Sequence, residues 1–188
     1  MRSNAVLAID NVDDQSSIEV RNNNGFKGVF ATEPIAQDSV VFYLNGIITT
    51  DPTRYTIQLS PRRHLTFPSI RKANDDLDYC WQYLNHSCEP NGYMNTIEFT
   101  FRALRDIAAG EEITFNYLTT ESEMAVPFNC ICGSANCFGL IQGRNFLNAV
   151  ESARLSQAVG EDNVVTLFMP AVQRSSGSLE NSMSRQRS

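Results

Sequence analysis

The stretch Thr96-Ile97-Glu98-Phe99-Thr100-Phe101-Arg102-Ala103, with Ile113-Thr114-Phe115-Asn116-Tyr117 shortly after it, decides the fold class. Ile97, Phe99, Phe101 and Ala103 alternate with Glu98, Thr100 and Arg102, the period of two that marks a half-buried strand. Ile113, Phe115 and Tyr117 repeat that period. Between them, residues 106–111 (Asp-Ile-Ala-Ala-Gly-Glu) predict a turn, so the two strands share a sheet or lie in adjacent sheets. Further short apolar runs at 5–9, 18–20, 29–31, 40–44 and 56–59 are punctuated by Gly, Pro and Asn. The expectation is a mainly β fold with short helices. Helical signal is confined to 75–84, which opens on acidic residues, and to a final helix over 144–159.

The chain has 188 residues, 42% of them hydrophobic, which suits one domain with a sizeable core. A chain of this length buries about 70% of the surface its unfolded form exposes, so any metal serves a local purpose. Fifteen Lys and Arg against 21 Asp and Glu give a net charge of −6. That balance argues against general binding to a phosphate backbone, so no direct nucleic-acid partner is expected, and a basic protein partner is favoured. No apolar run approaches the ~18 residues of a membrane span, and residues 1–20 lack a basic start and a long apolar centre. A cytoplasmic or nuclear protein is expected. Beyond Pro170, residues 173–188 carry six serines and three arginines, a composition that predicts a disordered tail over 171–188.

Five cysteines, at 80, 88, 130, 132 and 137, form an odd set without a secretory signal, which disfavours a disulfide framework. Cys130-Ile-Cys132-Gly-Ser-Ala-Asn-Cys137 places three thiols within eight residues, and Cys88 is a possible fourth. Four thiolates suit one structural zinc ion; the competing reading is ordinary buried cysteine. Cys80 is left over as a small core residue.

Two polar corners remain. Asn85-His86-Ser87-Cys88-Glu89-Pro90-Asn91 follows Tyr83-Leu84 and reads either as an Asx-rich turn or as a set of polar groups on a rigid corner. Ser87 and His86 are adjacent, so their side chains point apart and a Ser-His hydrolase is a poor reading. The side chains of Glu111 and Glu112 should diverge likewise. Tyr117, at the end of an apolar strand, would by itself be a core residue with a satisfied hydroxyl.

The order of these pieces is distinctive. NHSCEPN at 85–91, GEEITFNY at 110–117 and CICGSANCFG at 130–139, preceded by NNNGFKGVFA at 22–31, resemble the SET-domain protein lysine methyltransferases with a post-SET zinc segment. The resemblance covers residues 18–143. It implies the family's β-clip fold of small curved sheets with a pseudoknot, a SET domain over 18–119, a post-SET zinc segment over 128–143 and a C-terminal helical extension over 144–170. It further implies that S-adenosylmethionine is the cofactor, contacted by Phe26, Lys27, Gly28, Asn85 and His86, with Leu140 packing on the adenine. Tyr117 would be the catalytic tyrosine, Phe115 and Tyr117 would line the substrate lysine channel, and Cys88, Cys130, Cys132 and Cys137 would hold one structural zinc ion. Phe26 stands where the family usually has its first glycine, Asn116 where Asp is commoner, and Phe138 where a basic residue is common. The 59–81 insert is short.

The expected activity is methyl transfer to a lysine of a basic protein segment. The alternatives are a catalytically silent SET-like module that binds a lysine-bearing peptide, and a zinc-stabilised interaction protein.

Overall fold

The structure, a computed structural model, describes residues 6–7, 15–23, 25–69, 76–161 and 163. In chain order its strands are β1 (Val6–Leu7), β2 (Ile18–Asn23), β3 (Phe26–Ala31), β4 (Val40–Tyr43), β5 (Gly46–Thr49), β6 (Ile57–Ser60) and β7 (Arg63–Thr66). There follow β8 (Asn85–His86), β9 (Gly92–Asn95), β10 (Thr100–Ala103), β11 (Glu112–Phe115), β12 (Phe128–Asn129), β13 (Leu140–Ile141) and one α-helix, α1 (Ala149–Val159). They assemble into small sheets of order β1-β5-β7-β6, β4-β10-β9, β2-β3-β11-β8 and β12-β13. The fold is mainly β, in several small sheets, as the sequence predicts.

Alternation builds the core. In β3, Val29 and Ala31 are fully buried, and in β11 Ile113 and Phe115 are buried between half-buried Glu112 and Thr114. The main core joins these residues to Phe42, Leu44, Leu65, Trp81 and Phe101, with the Phe42 and Phe101 rings stacked 4.9 Å apart. Cys80 lies in this core, where burial pushes its thiol up to about 12, so it behaves as an inert apolar residue. A second cluster of Cys88, Leu118, Ile141 and Leu155 joins the cysteine segment to α1.

The opening stretch differs from its expectation. Only Thr100–Ala103 is strand, and residues 96–99 turn the chain between β9 and β10; β10 and β11 do not share a sheet, which leaves the other of the two expected arrangements, separate sheets. Asn95 Oδ1 accepts from the N–H of Ile97 (3.1 Å) and of Glu98 (2.9 Å). This local bond outcompetes the ladder, Phe99 takes φ +54°, and Ile97 is left 65% exposed. The helical signal at 75–84 yields only a 3-10 turn, Cys80–Tyr83, because Leu84 becomes extended to lead into β8 and buried Trp81 donates its indole N–H to the Asn45 carbonyl (3.0 Å). The final helix starts later than 144: a 3-10 turn over Arg144–Phe146 ends at extended Leu147, and Asn148 opens α1 with a capping box to Glu151. The tail expected over 171–188, and the end of the extension expected to reach 170, lie outside the described residues.

Candidate active site and cysteine cluster

The site is built where β11 runs parallel to β8, pairing Thr114 with Asn85 and Phe115 with His86. Ser87 N–H extends the pairing to the Phe115 carbonyl at 3.1 Å. Asn91 bolts the corner down: its side chain donates to the Glu112 carbonyl (2.8 Å) and accepts from Thr114 N–H (2.9 Å). The Asn-rich corner thus divides its work, with Asn91 buried in structure and Asn85 exposed.

Tyr117 does not close the strand. β11 ends at Phe115, Asn116 caps a 3-10 turn by accepting from Leu118 N–H (3.1 Å), and Tyr117 begins that turn. The Phe115 and Tyr117 rings are nevertheless neighbours, with centroids 4.8 Å apart. The Tyr117 hydroxyl donates to the Leu84 carbonyl at 2.6 Å. Burial pushes it above the ordinary phenol range, so at neutral pH it is a fixed, protonated hydroxyl and not a base.

Phe115, Tyr117 and Leu84 line a cleft together with Tyr55, Trp81 and Glu121. The last three were not among the residues singled out from sequence. Trp81 carries a signal as the sole tryptophan, whereas Glu121 lies in the polar run Thr119-Thr120-Glu121-Ser122-Glu123 and carries none. Glu121 is only 8% exposed, and burial pushes its carboxyl up to about 7.

The residues expected at a cofactor are not among those that line the cleft. Phe26, Lys27 and Gly28 open strand β3 and do not form a loop, because the β2–β3 ladder is registered all the way to Asn23 and Phe26. The Lys27 carbonyl accepts from Asn85 Nδ2 (3.3 Å), which also donates to Glu112 Oε1 (2.6 Å). A Cβ on Gly28 would come within 2.7 Å of Glu112 Oε1 and 3.3 Å of Asn85 Nδ2, so glycine is what lets these groups meet. Lys27 Nζ turns away to the Asp76 carboxylate, and that bond raises its pKa. Phe26 and Leu140 are 74% and 50% exposed, each leaving an apolar face uncovered. Glu112 is thus a further member of this group. Glu111 points elsewhere, to Arg105, Asn91 and the Ala108 N–H, and the two adjacent carboxylates do diverge.

His86 links the tyrosine to the cysteines. Its Nδ1 accepts from Tyr117 N–H (3.1 Å), which fixes the neutral tautomer with hydrogen on Nε2, and Nε2 lies 3.3 Å from Cys88 Sγ. Burial lowers its pKa to about 4, in keeping with a neutral ring. Any contact from His86 to a ligand is therefore left to its backbone.

Cys88, Cys130, Cys132 and Cys137 converge, every pair of sulfurs lying within 4.8 Å. Sulfurs held about 2.3 Å from a tetrahedral ion lie about 3.8 Å apart. Cys88 Sγ stands 3.8 Å from that of Cys130 and 3.9 Å from that of Cys137, and none of the four is in a disulfide. Spacing and donor set fit one closed zinc site, and Cys88 completes it from the active-site corner. Without a cation, burial pushes the Cys130 thiol up to about 11. A bound ion reverses that by stabilising the thiolate.

Comparison with known proteins agrees with this arrangement: residues 27–118 match the family model described as the SET domain. Those residues resemble a SET domain. The chain is 46% identical over 76 residues to methyltransferase flvH of Aspergillus flavus, covering 39% of this chain and 40% of that protein. It is 36% identical over 148 residues to the H3 lysine-36 specific histone-lysine N-methyltransferase of Emericella nidulans, covering 71% of this chain and 15% of that protein. The chain therefore spans well under half the length of these relatives. The solved structure of KRYPTONITE in complex with mCHG DNA and SAH superposes with a TM-score of 0.50 at 22% identity, over 65% of this chain and 28% of that one. That likeness extends the SET-domain fold to this chain. No helix among the described residues is long and apolar enough to cross a membrane.

Proposed function

We propose that the chain is an S-adenosylmethionine-dependent protein-lysine N-methyltransferase acting on a basic protein segment. The observation that carries this reading is the cleft lined by Phe115 and Tyr117, whose tyrosine hydroxyl is pinned to the Leu84 carbonyl, with the Asn85–Gly28–Glu112 cluster beginning at the next residue. Phe26, Lys27, Gly28, Asn85, His86 and Leu140 would hold the cofactor: Asn85 and the Lys27 carbonyl offer polar edges, and Phe26 and Leu140 offer exposed apolar faces that suit a purine. When bound, S-adenosylmethionine supplies an electrophilic methyl group; the protein supplies orientation and electrostatics.

A lysine reacts only as the neutral amine, and its ordinary pKa is about 10.4. Apolar and aromatic walls disfavour the ammonium, and their faces then receive the methylated cation. Tyr117 orients the amine from one side, its lone pairs accepting an amine N–H while its own hydrogen stays on Leu84. Cys88, Cys130, Cys132 and Cys137 hold zinc as a structural clamp that fixes His86 and, through it, the Tyr117 backbone. The net charge of −6 supports a basic protein substrate over nucleic acid, and histone tails are the first candidates because the relatives include a histone-lysine methyltransferase. A cytoplasmic or nuclear location follows from such a substrate. The domain reading assigns 18–119 to the SET unit, 128–143 to the zinc segment, 144–170 to a helical extension and 171–188 to a tail.

Calorimetry with S-adenosylmethionine tests the cofactor half of the proposal. One binding site per chain is expected, and Asn85→Ala should weaken it about tenfold by removing the amide that joins Lys27 to Glu112. No heat of binding at millimolar cofactor would contradict the assignment.

The product state follows from Phe115, which is 5% exposed and offers no hydroxyl beside Tyr117. Each added methyl needs room that a second tyrosine hydroxyl and its water would take. The unaltered chain should proceed beyond monomethyl-lysine, and Phe115→Tyr should shift products toward monomethylation. Mass spectrometry at long reaction times decides this; an unchanged product distribution in Phe115→Tyr removes Phe115 from the channel.

A further inference from the structure

Glu121 has no place in the reading so far, yet it occupies the wall of the same cleft as Tyr117 and Phe115. It is one of the few buried charged side chains among the described residues. Its Oε1 is fixed by two neutral donors, the Gln58 backbone N–H at 2.9 Å and the Thr120 hydroxyl at 3.2 Å. Gln58 is itself buried and locked, its Oε1 accepting from Ser122 N–H and Ser122 Oγ at 2.8 Å each. The carboxylate is thus held rigidly at the edge of an aromatic passage, tied to β6 and to the segment after the Tyr117–Thr119 turn. Burial of an ionisable acid is costly, and a structural tether to a backbone N–H could be made by a neutral amide at lower cost.

We propose that Glu121 receives the substrate's cation: its carboxylate holds the incoming lysine ammonium at the cleft wall and accepts a proton from it. This rests on the methyltransferase reading of the cleft and adds to it a residue and a proton path. In the step, one ammonium N–H bond breaks, its electron pair stays on nitrogen as the lone pair the methyl group requires, and an O–H bond forms on Glu121. A cation and an anion become two neutral groups. Burial favours that exchange from both ends, because it raises the acid's pKa and lowers the amine's, so the gap between them in water narrows. The proton later leaves through the open mouth of the cleft.

The charges around Glu121 are consistent with a poised acid. Arg144, in the 3-10 turn Arg144–Phe146, favours the carboxylate and offsets part of the burial. Arg54 and Tyr55 line the cleft from the 53–57 segment, and Tyr117 lines it as well. The outcome, about 7, lies where a group can exchange protons near neutral pH.

The test needs a readout that does not depend on turnover. Binding of Nα-acetyl-lysine amide and of its uncharged norleucine counterpart is followed by the ring resonances of Phe115 and Tyr117, in the full chain and in Glu121→Gln. The full chain is expected to prefer the lysine probe by about tenfold or more, and Glu121→Gln to lose that preference. Glu121→Asp, which keeps the charge and withdraws it by one methylene, should fall between. Folding is monitored by thermal unfolding. The folded carboxyl titrates above its ordinary 4.5, so its contribution to stability is full below that value and is lost as pH rises through about 7. Above pH 7 the Gln variant should therefore be at least as stable as the parent. In active enzyme, kcat/KM should rise through about pH 7, and that limb should vanish in Glu121→Gln. No preference in the full chain, or an undiminished preference in both variants, overturns the proposal and leaves Glu121 as a tether. A lost preference in a protein that transfers no methyl group would instead uphold the cation site and contradict the methyltransferase reading.

Discussion

Tyr117→Phe is expected to lower turnover at saturating substrate on the order of 100-fold, the scale on which removing one orienting hydrogen-bonding group acts in a preorganised site. The hydroxyl donates to the Leu84 carbonyl at 2.6 Å on a residue that lines the cleft, and in the proposed reaction its lone pairs orient the amine. Removing it leaves the ring in place against Phe115 and against His86, whose centroid lies 5.2 Å away. The fold should therefore survive at a cost of about 1–3 kcal/mol for the undonated Leu84 carbonyl. Cofactor affinity should change little, since the hydroxyl is engaged with Leu84 and not with Asn85 or Lys27. Near-normal turnover in Tyr117→Phe, with the variant shown to be folded, would remove the hydroxyl from the chemistry.

Loss of the metal is expected to act as strongly, through structure. Protein purified without added metal should contain one zinc ion per chain. Cys88→Ser should weaken zinc retention at least 100-fold, exceeding the roughly 10–100-fold that follows loss of an outer partner, and as much as Cys132→Ser does. The two variants should nevertheless differ in reach. Cys88 is buried in the cluster with Leu118, Ile141 and Leu155 and sits two residues from His86, so its loss should perturb Tyr117 directly. Cys132 belongs to the half-buried outer segment. Both should abolish most turnover because β12 and β13 lose their clamp. Zinc content and affinity unchanged in Cys88→Ser would mean that the fourth ligand lies elsewhere.

How much of this was legible in the sequence depended on whether the deciding contact was local. The Ile113–Phe115 alternation reported β11 correctly because a buried strand enforces a period of two. The same alternation at 97–99 misled, because Asn95 captured two backbone N–H groups and made a turn that no hydrophobic pattern records. The four converging cysteines and the Phe115–Tyr117 pair were legible from spacing and motif order, since each set is nearly contiguous or carries unusual chemistry. Glu112 and Glu121 were not. Glu112 gains its place only when Gly28 and Asn85, 57 residues apart in sequence, meet across β3, β11 and β8. Glu121 becomes a cleft residue only when Gln58 anchors it from 63 residues away. Helix boundaries failed for a related reason: extended Leu84 and Leu147 are set by the strand and the cap that follow, not by helix propensity.

The central claim is methyl transfer to lysine. Its most direct test is incubation of the purified full chain with S-adenosylmethionine carrying a labelled methyl group and core histones or a host lysate, followed by mass spectrometry of the labelled proteins. The predicted result is label on lysine side chains, dependent on Tyr117 and extending past the monomethyl state. Label confined to other residue types, or no transfer by a chain that binds the cofactor and holds its zinc, would contradict it.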